Sequence, residues 1–146
     1  MSLKSKPYHF LLLFAVLLAI ISLAGTNSKI NINIGDTYYV PDIVFMIRAI
    51  AMFLVLLWVL YRFTFPFLFS RMLAWLHIIV SITIAVAISA VLLWDAKTYV
   101  PEAPIDMAYA NIRRAAFMVQ LCTISIMFTQ LLYFINLFAG ILKRVN

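Results

Sequence analysis

The sequence predicts an all-α integral membrane protein, a bundle of four transmembrane helices with both termini cytoplasmic. Three observations carry that reading. Hydrophobic residues make up 66% of the 146 residues and charged residues only 11%, against roughly 45–50% and about 25% in soluble domains. A chain this short cannot bury so much apolar surface in a core of its own, so the excess faces lipid. Second, the apolar residues fall into four long runs, and a hydrocarbon core about 30 Å thick takes roughly 20 helical residues. Third, the basic and acidic residues divide between alternate connections of those runs.

The first run covers about Tyr8–Gly25 and follows Lys4 and Lys6. Its Ala15 and Ala19 permit close helix approach. A basic start, an apolar stretch and Ser22-Leu23-Ala24 also fit a signal peptide cleaved before Gly25. We read it as an uncleaved span; a mature N-terminus at Gly25 would leave three spans. The second run, about Pro41–Tyr61, starts favourably with Pro41 and Asp42. It carries Arg48 roughly 10 Å below Pro41, either gripping a partner helix or anionic group, or snorkelling to the outer headgroups.

The third run, about Met72–Trp94, has a small-residue face at Ser81, Ala85 and Ser89. The fourth, about Ala110–Leu142, is longer than the core requires and should tilt or project. Along it Arg113, Ala116, Gln120, Thr123, Met127 and Gln130 recur at three- and four-residue steps. Such a polar stripe is expected to turn inward as glue between helices. Gly25-Thr26-Asn27-Ser28, Gly35-Asp36, Pro66, Pro101 and Pro104 break the runs. No linker or convincing repeat divides residues 1–146, which form a single domain.

Orientation follows from charge. Lys4, Lys6, Arg62, Arg71, Lys143 and Arg144 share one side in a four-crossing chain, and the positive-inside rule makes that side cytoplasmic. The other side receives Lys29, Lys97, the bordering Arg113 and Arg114, and all five acids: Asp36, Asp42, Asp95, Glu102 and Asp106. Interfacial aromatics are expected at Tyr38, Tyr39, Trp94, Tyr99 and Tyr109 outside, and at Tyr8, Tyr61 and Trp75 inside. The net charge of +6 makes no Lys/Arg stripe with exposed aromatics, so no nucleic-acid partner is expected. The single Cys122 excludes an internal disulfide and a Cys-x-x-Cys redox pair. It reads as a small lipid- or core-facing residue.

Chemistry is sparse. Two histidines at matched depth, His9 and His77, are the residues that would ligate a b-type heme; helix packing is the plainer role for both. No phosphate loop, Ser/His/Asp set or paired intramembrane carboxylate is present. A four-span multidrug exporter needs a carboxylate in the first span, and a four-span thiol oxidoreductase needs paired cysteines; both are rejected. No cofactor and no catalytic residue is expected.

The most specific text is Lys29-Ile30-Asn31-Ile32-Asn33-Ile34-Gly35-Asp36-Thr37-Tyr38-Tyr39-Val40. It resembles the late-chain motif of heme-copper oxidase subunit I, where alternating apolar residues lead into His-Asp-Thr-Tyr-(Tyr/Phe)-Val. Phe65-Pro66-Phe67-Leu68-Phe69 is similar to that family's Phe-Pro-Leu-Phe, and Trp75-Leu76-His77-Ile78 to its Trp-x-x-Ile-His-Phe. Asn111-Ile112 is a weaker likeness to the start of its last helix. In this order the chain resembles the family's last four helices. Ile43 and Phe45 stand where the family has its heme-ligating His-x-His pair, and Gly35 replaces the motif's own histidine. The resemblance therefore implies a shortened, ligand-free relative that does not reduce oxygen.

The expected role is a non-catalytic accessory or assembly subunit in a membrane complex, possible partners being respiratory oxidase subunits. The alternatives are a bis-histidine heme protein using His9 and His77, or a stand-alone homo-oligomer. The expected location is a bacterial inner membrane or its equivalent. The residues expected to matter structurally are Asp36, Thr37, Tyr38, Tyr39, Arg48, Arg113, Gln120, Thr123 and Gln130. Arg48 is expected to meet Gln120, at equal depth, or an acid such as Asp36 or Asp95, with Thr37–Val40 folded over this pocket.

Overall fold

A computed structural model describes the backbone of residues 6–23, 32–34, 37–39, 42–98 and 105–145, and the side chains of most of them. Helix α1 spans His9–Leu23, α2 Ile43–Thr64, α3 Arg71–Thr98 and α4 Ile105–Val145. Lipid offers no hydrogen bonds, so a crossing segment must satisfy its backbone internally, as these uninterrupted helices do. Among the described residues, three stretches are long and apolar enough to cross a membrane: Ile43–Phe67, Arg71–Trp94 and Gln120–Arg144. Helix α1 has 15 residues, about 22 Å at 1.5 Å each, and falls short of that length. Helix α4 has 41 residues, about 60 Å, and extends well past one bilayer core, as its long apolar run led us to expect.

One element was not expected. Ile32–Ile34 and Thr37–Tyr39 form a small antiparallel pair, β1 and β2, with Ile32 opposite Tyr39 and Ile34 opposite Thr37. The period-two alternation of Ile32, Asn33 and Ile34 is its local cause. Helix α2 then starts where Asp42 was expected to start it: extended Asp42 accepts a 2.9 Å bond from the Val44 N–H, covering one of the helix's free donors.

Packing follows a shared rhythm. The buried residues of α1 are Leu11, Ala15, Leu18 and Ser22, and those of α2 include Ile47, Ala51, Leu54 and Tyr61. On α3 the buried series runs Ala74, Ile78, Ser81, Ala85, Ile88 and Leu92, with His77 and Ser89 buried beside it. On α4 it is Thr129, Tyr133, Asn136 and Gly140, with Cys122 and Ile126 half-buried above them. Alternating steps of three and four average about 3.5 residues, which keeps two seams in contact along their length. The small-residue face at Ser81, Ala85 and Ser89 is buried as expected, and so is Ala15; Ala19 is exposed. The most extensive packing is α1 on α2 and α3 on α4. Aromatic Tyr8 meets Phe65 edge-on at 5.4 Å, while Ser22 lies beside Arg48, so α1 runs antiparallel alongside α2.

Candidate functional site

Polar side chains converge where α2, α3 and α4 meet, at the end of the bundle that carries the α2–α3 connection. Tyr61, His77 and Tyr133 form a triangle of rings with centroids 5.1 to 5.6 Å apart. Tyr61 and His77 are 0% exposed and Tyr133 3%, which seals the imidazole among protein side chains. The Tyr61 hydroxyl lies 2.9 Å from His77 Nδ1. If the tyrosine donates, one buried donor, His77 Nε2–H, is left over; the reverse leaves the phenol proton and an Nε2 acceptor both unmet. The first arrangement is the less costly.

Tyr133 completes the tie to α2. Thr64 gives its one hydroxyl proton to the Leu60 carbonyl at 2.7 Å, so the 2.7 Å contact between Thr64 and Tyr133 is donated by the tyrosine. Gln130 on α4 lies near the imidazole, and its Nε2 and His77 Nε2 are both buried without a partner. A half-turn of the Gln130 amide would turn its Oε1 rather than its Nε2 toward His77 Nε2–H and give that donor an acceptor. The result is a sealed polar connector through three helices. Changing Tyr61 to Phe strands His77 Nδ1 and should cost about 1–3 kcal/mol. Thermal unfolding in mild detergent reads it, and an unchanged midpoint would show that this bond holds nothing.

Beside the triangle, α4 grips the α2–α3 connection. Pro66 has no N–H and ends the regular helix; the chain tightens into a 3₁₀ turn over Phe65–Phe67. The Asn136 side chain reaches the next segment twice: Oδ1 accepts from the Ser70 N–H at 2.8 Å, and Nδ2 donates to the Ser70 carbonyl at 2.9 Å. The Asn136 carbonyl also accepts from the Phe69 N–H at 3.1 Å. That approach depends on Gly140, since a side chain one turn later leans back over the carbonyl of residue 136. Arg144, another turn on, donates to the Pro66 carbonyl.

The expected residues fare unevenly. Arg48 is exposed, and its Nε donates to Ser22 Oγ on α1 at 3.4 Å; the helix it reaches is α1. Gln120 is exposed and is not the partner, Asp36 lies outside the described residues, and so does the side chain of Asp95. The expected inward turn of the α4 stripe is corrected over its described part: Gln120, Thr123 and Met127 are exposed, and only Gln130 reaches the interior. A neighbouring stripe, with nearly the same spacing, faces the bundle instead. The side chains of Arg113, Thr37, Tyr38 and Tyr39 are not described.

His77 and His9 do not share a described partner: His9 lies against Tyr8 with centroids 4.6 Å apart, while His77 contacts Tyr61 and Tyr133. Tyr8 and Tyr61, expected at the interface, are buried packing residues at 2% and 0% exposure. Because Arg48 is exposed and makes one long bond, Arg48→Leu should move stability by no more than about 0.5 kcal/mol. A larger loss in the same unfolding assay would mean that its guanidinium is buried against something else.

Sequence reasoning missed Asn136 and Gly140. Their signal was an amide and a glycine one turn apart inside an otherwise apolar run, the pairing of polar and small residues that lets membrane helices meet closely. No family model, curated protein or solved structure matches the chain, and the likeness to the oxidase subunit rests on its own residues alone.

Proposed function

We propose that the chain is a non-catalytic integral membrane subunit that crosses the bilayer four times, with both termini cytoplasmic, and associates with other membrane subunits. One observation carries the association: the outer face of α4. Only 22% of the apolar stretch in Gln120–Arg144 is buried, and the outer face includes the exposed amide of Gln120. An amide facing hydrocarbon gains from a hydrogen-bonding partner on another helix. The fourth crossing is supported by α1, which runs alongside α2 from Phe65 to Arg48.

Tyr61 with His77, Thr64 with Tyr133, and Asn136 with Ser70 tie α2, α3, α4 and the α2–α3 connection together, which supports a structural role over a chemical one. The resemblance to the last four helices of heme-copper oxidase subunit I makes oxidase subunits and their assembly factors the first partners to test. Affinity purification of the tagged chain from its own membranes in mild detergent is the experiment. An associating subunit co-migrates with defined membrane proteins at a native mass above that of one chain, and Gln120→Leu weakens the association. A bare monomer, with no oxidase subunit or other membrane protein in stoichiometric amount, would sink the proposal.

A further inference from the structure

The clamped end of the bundle is cationic. Arg62 closes the last turn of α2, Arg71 opens α3, and Lys143 and Arg144 close α4; all four side chains are exposed. They form one rim because the clamp draws their elements together: Arg144 reaches the Pro66 carbonyl, and Asn136 holds Ser70, next to Arg71. Two of the cations are already posed. Lys143 Nζ sits 5.3 Å from the Phe69 ring centroid, and the Arg144 guanidinium 4.9 Å from that of Phe67. Among the described side chains the one carboxylate is Asp42, which caps the opposite end of α2.

We propose that this rim binds the headgroup phosphate of an anionic phospholipid. Arg62 and Arg71 make no hydrogen bond or ion pair among the described residues, so their donors are free to take phosphate oxygens, the acceptors that guanidinium groups fit best. An apolar floor beside them decides between a lipid and an acidic protein. Phe63 is 72% exposed and Met72 82%, at the ends of helices that are apolar enough to cross a membrane, and Phe69 in the connection between them is 55% exposed. A soluble acidic partner satisfies the charges and leaves these side chains uncovered, whereas a phospholipid covers both with one molecule. Each cation near an anionic leaflet contributes about 1 kcal/mol, or about fivefold in affinity.

The test uses the full chain in dodecyl maltoside, titrated with phosphatidylglycerol or phosphatidylcholine and read by native mass spectrometry. The proposal expects phosphatidylglycerol to bind at least tenfold more tightly. The double variant Arg62→Gln/Arg71→Gln should reduce that preference by roughly 25-fold, two cations at fivefold each, or abolish it, without shifting the unfolding midpoint. Raising salt should erode it in the unmodified chain as well, a readout that does not depend on any variant folding. Equal binding of the two lipids would overturn the proposal, as would a preference that survives both the double variant and high salt. Displacement of phosphatidylglycerol by millimolar inorganic phosphate would overturn it too, by showing that the rim selects free phosphate rather than lipid.

Discussion

Replacing Gly140 by Ala should be among the most damaging single-methyl changes in the chain. An added Cβ would run into the Phe67 carbonyl oxygen and lie 2.6 Å from the Phe69 nitrogen and 2.8 Å from the Leu68 carbonyl carbon. All three are backbone atoms, so no side chain can rotate aside; either the connection lifts off α4 or the helix shifts. Overpacking of this kind costs about 1–3 kcal/mol, occasionally more, and here the upper part of that range applies. Lifting the connection also breaks the bond from Phe69 to the Asn136 carbonyl. The thermal midpoint in detergent should fall by several degrees, and proteases should cut within residues 65–70 sooner. A variant as stable as the parent would show that the connection does not rest on α4.

Asn136→Leu keeps the number of side-chain heavy atoms and removes the side-chain hydrogen bonds, so it tests polar holding more than packing. Ser70 N–H then loses its acceptor. The Ser70 carbonyl keeps its 3.3 Å bond from Ala74, so only one buried group is stranded, at about 1–3 kcal/mol. Gly140→Ala and Asn136→Leu act on the same connection. Their combined cost should therefore be smaller than the sum, because whichever change comes first has already released the loop. Strict additivity in a double-mutant cycle would mean that the two residues hold different things.

Composition alone makes the surrounding solvent legible. An apolar excess in so short a chain predicts helices facing lipid, and three of the helices have the length and composition to cross a membrane. The Asp42 cap was legible too, because an N-cap depends on local chain alone. Which face of each helix turns inward was not. Along α4, apolar residues surround the helix, so the stripe through Gln120, Thr123 and Met127 and the one through Ile126, Thr129 and Tyr133 offer similar patterns. Pairing decides between them, and the inward one is the stripe that carries Asn136 and Gly140.

The same limit explains Arg48, Tyr61 and the clamp. Depth along a helix predicted that Arg48 and Gln120 sit level, but direction around the helix sent Arg48 toward Ser22 on α1. Position at a span's end suggested an interfacial Tyr61, while the neighbouring His77 on α3 and Tyr133 on α4 enclose it. Contacts such as Ser70 with Asn136 join residues 66 apart in the chain, a separation at which no local spacing rule applies.

Helix α4 braces the α2–α3 connection through backbone hydrogen bonds that a free loop lacks. Hydrogen exchange at the Phe69 and Ser70 amides of the full chain in detergent tests it most directly, since both donate to Asn136. These two amides should be protected to the same order as helix-core amides, and Asn136→Leu should release Ser70 before Phe69. Exchange of both in the unmodified chain at the rate of an unstructured peptide would contradict it.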